Sequence, residues 1–218
     1  MNKGNKRYFY TAAVFLAAFV VWTVLVITVD VRPVGADATS IGLASVNQAF
    51  HNLTGVHMWM YDVTDLLSII PLGLIGVGGI IGLVQLIRRK SIFKVDRDIL
   101  ALGVFYAVVM AAFLLFEAIP VNFRPILIEG CLEASYPSST TMLVMCVMPV
   151  SAMMLCKRIK RSCLRRFVIV AFTLFTIFMV TARMLSGVHW ISDIIGGALL
   201  STGLVIGYKW VVGISLNE

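Results

Sequence analysis

Between two long apolar runs, the stretch Arg183-Met-Leu-Ser-Gly-Val-His-Trp-Ile-Ser-Asp193 places an arginine, a histidine and an aspartate where polar groups are costly. His189 and Asp193 are four residues apart, so on a helix they share a face. The carboxylate can then hold the imidazole in one tautomer and support positive charge on it. That pairing suits a nucleophile or a base. The bland alternative is a helix-capping aspartate beside an interfacial histidine.

Two further polar groups fall near the ends of apolar runs. Glu117 and Arg124-Pro125 follow the third run, and Tyr136-Pro137-Ser138-Ser139-Thr140-Thr141 opens the fourth. Serines at a helix start lie where backbone amides point outward, a ready site for an anion. Two arginines add bidentate donors for phosphate oxygens. Together these groups predict phosphoryl transfer at a membrane surface. No metal-ligand set is evident, and the chemistry calls for no cofactor. His51 and His57 are six residues apart, a poor spacing for a shared metal.

The elements that must position these groups are membrane spans. The chain has 218 residues, 60% hydrophobic and 13% charged, with a mean hydropathy of +0.95. A soluble protein carries about 25% charged residues. Six apolar stretches approach the roughly 20 residues that a bilayer requires. They fall near 9–29, 66–87, 99–119, 139–156, 167–185 and 191–212. The sequence therefore predicts an all-α bundle of six transmembrane helices forming a single domain over 1–218. Aromatic and apolar residues between Ile41 and Tyr61 predict one or two short interfacial helices after the first span. That first span is too long for a cleaved signal peptide, whose apolar core runs about 7–15 residues, and is expected to be retained.

Charge orients the bundle. Fifteen of the 18 basic residues fall at the N-terminus, in Arg88–Arg97, in Lys157–Arg166 and at Lys209. Only Arg32, Arg124 and Arg183 lie opposite. Both termini are expected in the cytoplasm of a cell-membrane protein, with the polar clusters facing outside. The net charge of +7 is then a topology signal and requires no nucleic-acid partner. Charges gathered at one face also argue against an ion or solute transporter. Gly78/Gly82 and Gly203/Gly207 are small-residue pairs that let helices approach closely. The four cysteines predict no intramolecular disulfide.

The chain resembles the type 2 phosphatidic acid phosphatase family, relatives of the vanadium haloperoxidases. That family carries K-x6-R-P, then P-S-G-H, then S-R-x5-H-x3-D on a six-span bundle. Here Arg124-Pro125, Pro137-Ser138 and Arg183-x5-His189-x3-Asp193 follow in that order. The resemblance implies that His189 attacks phosphorus and carries a phosphohistidine, with Asp193 orienting it. It implies that Arg124 and Arg183 hold the phosphate oxygens, assisted by Ser138 and the amides near Ser139.

This sequence also departs from the family pattern. The family lysine falls on Glu117, the general-acid histidine on Thr140, the glycine on Ser139, and the serine before the arginine on Ala182. A positioned acid contributes about 10²–10⁴-fold, and threonine does not supply a proton near neutral pH. Its loss matters least when phosphate departs from a diphosphate. Glu117, Glu129 or Glu133 in an apolar pocket offers a replacement acid, although Glu129 and Glu133 read more simply as solvated loop charges. The expected substrate is a membrane lipid phosphate or diphosphate, with a polyprenyl diphosphate favoured. The alternative is a catalytically impaired family member that binds anionic lipid headgroups without hydrolysing them.

Overall fold

Among the described residues, six helices long and apolar enough to cross a membrane fall at Asn5–Thr28, Met58–Arg89, Arg97–Ala118, Ser139–Arg158, Ser162–Leu185 and Ile191–Gly213. Each overlaps its expected stretch. The computed structural model describes residues 3–215. In chain order, α1 is Lys3–Thr28, α2 Ala44–Thr54, α3 Met58–Leu67, α4 Ile69–Arg89, α5 Arg97–Ala118, α6 Ser139–Arg158, α7 Ser162–Leu185 and α8 Ile191–Ser215. A two-residue hairpin pairs β1 (Arg32–Pro33) with β2 (Ser40–Ile41) ahead of α2. The expected interfacial segment is α2, and α3 leads from it through Ser68 into the second span.

In hydrocarbon, hydropathy does not say which helix is central, because lipid-facing surfaces are also apolar. Burial does. Within the most apolar part of each span, 61% of α6 and 50% of α8 are buried, against 6% for Met58–Arg89. α6 packs on both α7 and α8, while α1 lies along α8. The core between them holds Phe19, Phe105, Tyr136, Met142, Cys146 and Tyr208.

The glycine pairs act at helix crossings. A Cβ on Gly203 would stand 2.8 Å from Leu16, and one on Gly82 would stand 3.3 Å from Ile99. These glycines seat α8 against α1 and α4 against α5.

The helices alternate in direction, so the loops sort to two ends. The basic end holds the α4–α5 and α6–α7 loops. There Arg89 pairs with Asp96 at 2.7 Å, and Gln85 both donates to Asp96 Oδ2 and accepts from its backbone N–H. The Arg89 hydrogen bond, ahead of that from Gln85, holds the Asp96 carboxyl below its usual range. The opposite end carries the loop before α6, the turn before α8, and α2 with α3 packed over them.

Candidate active site

The turn between α7 and α8 must bend sharply, and Gly187 makes this possible with φ at +71°. A side chain there would also strike the carbonyl of Gly55. The segment joining α2 to α3 therefore lies against this turn, fastened by a 2.9 Å bond from the backbone N–H of His57 to the Ser186 carbonyl. His51 of α2 packs its ring 5.5 Å from that of Trp190.

α8 begins just after His189, so His189 and Asp193 do not share a helix face as the spacing suggested. The turn brings them together instead. His189 Nδ1 stands 3.7 Å from Asp193 Oδ2, close enough for an ion pair but longer than a hydrogen bond. The same Oδ2 accepts the backbone N–H of Trp190 at 3.0 Å. An acidic side chain three residues into a helix often reaches back in this way. Asp193 is thus both the cap of the bland reading and the partner of His189.

The carboxylate is closed off on its other side. Asp193 Oδ1 accepts from Asn122 Nδ2 and from Ser192 Oγ, each at 3.3 Å. The Asp193 carbonyl accepts the backbone N–H of Ser138 at 3.1 Å, which pins the start of α6 to the start of α8. Ser138 caps α6, with Oγ accepting from the Thr141 amide. The first turn of α6 therefore points its amides toward this cluster.

Both arginines arrive here. Arg183 donates from Nη1 to Thr64 Oγ1 at 3.1 Å, and its guanidinium lies 4.5 Å from the Tyr61 ring centroid. Arg124 lies 5.7 Å from the same ring. A hairpin in which Phe123 bridges Ala134 carries Arg124 and sets its Nε 3.0 Å from Glu133 Oε2. Glu133 is consequently an ion-pair partner of Arg124, not the solvated loop charge expected from sequence.

Arg124, Arg183, His189 and Asp193 are all buried, at 0–7% exposure. Burial first, then the two guanidiniums, hold the His189 imidazole well below the ordinary histidine pKa. The ring is neutral near pH 7, the form in which a nitrogen lone pair is free to attack. By strict distance and angle, Arg124 Nη1, Arg183 Nε and both His189 ring nitrogens are buried with no hydrogen-bond partner among the described residues, although the Ser135 backbone lies close enough to act on the imidazole. Buried polar atoms are nearly always paired, so four orphans in one cluster mark a place built for a polar ligand.

The positions that depart from the family pattern lie to one side. Ser139 and Thr140 line a cavity of about 290 Å³ between α4, α5 and α6, with Asp65 and Ser68 also on its wall. Glu117 is exposed and shares a smaller recess with Ser135 and Ser139. The sequence reading missed Tyr61, Thr64 and Asp65. The signal available was polar residues at positions 61, 64, 65 and 68, one face of a helix entering the membrane. It also missed Asn122, which nothing in the sequence sets apart.

A six-span bundle that buries a histidine, an aspartate and two arginines at one end has the architecture of a membrane lipid phosphatase. The chain belongs to the PAP2 superfamily, which it matches over residues 77–215. Its fold is similar to the crystal structure described as the first transmembrane PAP2 type phosphatidylglycerolphosphate phosphatase from Bacillus subtilis. The TM-score is 0.64 at 20% identity, covering 95% of this chain and 97% of that one. No curated protein matches the chain significantly.

Proposed function

We propose that this protein is a membrane lipid phosphatase or diphosphatase acting at the outer surface through a phosphohistidine at His189. The observation that carries the reading is the set of unpaired buried donors on Arg124 and Arg183 beside the unpaired imidazole. Three phosphate oxygens would satisfy such donors, and phosphorus would then face the ring.

In this reading the His189 Nε2 lone pair attacks phosphorus and the bond to the leaving oxygen breaks. Asp193 fixes the ring through Nδ1 and balances the charge it gains. The guanidiniums and the α6 amides near Ser138 and Ser139 stabilise the equatorial oxygens. Water then cleaves the P–N bond, releasing inorganic phosphate and restoring the imidazole. From a lipid diphosphate the first leaving group is a lipid monophosphate anion, which requires no proton. Thr140 in place of the acid histidine therefore favours a polyprenyl diphosphate, and the apolar cavity beside Thr140 suits its chain.

The test is phosphate release by purified protein from a panel of lipid mono- and diphosphates. Release that falls by several orders of magnitude in His189→Ala supports the proposal. Equal nonzero rates in both proteins defeat it.

A second reading, headgroup binding without hydrolysis, draws on Glu117 and on the Arg124–Glu133 ion pair, which both offset positive charge. It predicts oxyanion binding with no release dependent on His189.

A further inference from the structure

We propose that Asn122 and Asn47 are positioning residues that hold Asp193, and through it His189, by a closed ring of buried hydrogen bonds. The inference rests on the phosphohistidine reading above. The ring can be followed atom by atom. Asn122 donates from Nδ2 to Asp193 Oδ1 at 3.3 Å, and its own Oδ1 accepts the Gly42 backbone N–H at 3.4 Å. The Gly42 carbonyl accepts from Asn47 Nδ2 at 2.8 Å. Asn47 Nδ2 also reaches Ser192 Oγ at 2.9 Å, while Asn47 Oδ1 accepts the Ser192 backbone N–H at 3.1 Å. Ser192 Oγ then donates to Asp193 Oδ1 at 3.3 Å, which closes the circuit.

Three chain segments distant in sequence meet in this ring: the entry to α2, the loop after α5, and the start of α8. Gly42 and Asn47 lie outside the region that matches the superfamily, residues 77–215. Asn122 and Ser192 fall in the unspecified gaps of the motifs. Asn47 and Asp193 are fully buried and Asn122 is 1% exposed, so water does not substitute for a broken link. Gly42 is held in place as well, since a Cβ there would stand 1.5 Å from the Val26 carbonyl oxygen of α1.

The ring acts on one oxygen. Two donors on Oδ1, beside the Ser135 hydroxyl and the Trp190 amide that also act on the carboxylate, keep it from rotating and leave Oδ2 facing the imidazole. Oδ2 then faces Nδ1 at 3.7 Å, and a proton held on Nδ1 would leave the Nε2 lone pair for substrate. Without the donors, the carboxylate turns and the imidazole loses both tautomer and aim. Small misplacements of a reacting group cost on the order of 10²-fold.

The experiment uses the full-length protein in detergent with a short-chain lipid diphosphate, comparing wild type, Asn122→Leu and Ser192→Ala. Single-turnover quenching reads the rate of phosphoenzyme formation, and inorganic phosphate inhibition reads the arginine site. The chain has three histidines, so nitrogen NMR of histidine-labelled protein reads the His189 tautomer directly. Its signal is identified by its loss in His189→Ala.

The expected result is phosphoenzyme formation slowed roughly 10- to 100-fold in Asn122→Leu and less in Ser192→Ala. KM and phosphate inhibition stay near wild type, and His189 changes from one tautomer to a mixture. Unchanged rates with a single tautomer in both variants overturn the proposal, as does a rise in KM and in the phosphate inhibition constant that accounts for the whole loss. If Asn122→Leu does not fold, Ser192→Ala decides, because it removes only a hydroxyl donor to the same oxygen. If wild type itself shows no turnover, the phosphatase reading fails, and the tautomer measurement alone judges the ring.

Discussion

Of three carboxylates at this end, two act on the site arginines. Glu133 pairs with Arg124, Asp65 acts electrostatically on Arg183, and Glu117 stands where the family carries a lysine. In the proposed function, phosphate binding should accordingly be weaker than two guanidiniums alone would give. Glu117→Lys replaces an exposed negative charge with a positive one and should lower KM for anionic lipids by roughly two- to fivefold, the scale of exposed charge pairs. If Glu117 is instead the acid, the same change abolishes turnover while tightening phosphate binding. Thr140→His should raise kcat on a lipid monophosphate by about 10-fold or more, part of what a positioned acid contributes, and change diphosphate turnover little. Steady-state kinetics on both substrates reads these outcomes.

The depressed His189 pKa carries a stability consequence. In the unfolded chain the ring regains a pKa of about 6.5, so below that pH the unfolded state binds a proton that the folded state refuses. The His189 contribution to stability is therefore full above about pH 6.5 and declines as pH falls below it. His51, lowered by its own burial, adds in the same direction. On acidification from about pH 7 to pH 5 in detergent, His189→Gln should lose less melting temperature than wild type.

At the scale of elements, the site is an agreement among helix ends. The start of α6 is tied to the start of α8 through Ser138 and Asp193, and α3 lays Tyr61 and Thr64 against the arginines. These ends hold their places only while the helices keep their separations. Gly203→Val would push a side chain into Leu16 of α1, including its backbone nitrogen at 3.2 Å. Overpacking of this kind costs about 1–3 kcal/mol. The expected outcome is a lower melting temperature with loss of activity in proportion to unfolding, measured by thermal denaturation in micelles. An unchanged melting temperature would show that α1 and α8 separate freely at this crossing.

For the whole molecule, the proposed function requires the basic loops to face the cytoplasm. The loops rich in lysine and arginine share one end with the start of α1 and the end of α8, and the candidate site lies at the other. Native cysteines report on this. Cys131 is exposed in the hairpin loop at the site end, and Cys163 is exposed at the basic end. A membrane-impermeant thiol reagent added to intact cells should modify Cys131 and leave Cys163 untouched until the membrane is opened. The reverse pattern would place the site in the cytoplasm.

The sequence by itself determined the spans, because a bilayer demands about 20 apolar residues whatever the packing. It also singled out the candidate site residues, because charged groups at span ends are rare and His189, Asp193, Arg183 and Arg124 stood out against hydrocarbon composition. The departures at Glu117 and Thr140 were legible for the same reason. Tertiary structure alone decided how the residues meet. It replaced a shared helix face with a turn for His189 and Asp193, because α8 starts too late to include both. It turned Glu133 into a partner of Arg124 through a hairpin that no local pattern announced. It also joined Asn47, Asn122 and Ser192 into one ring around Asp193. Uncharged amides and hydroxyls are ordinary in loops and helix starts. Only burial, which requires distant segments to close over them, makes their hydrogen bonds obligatory and their positions matter.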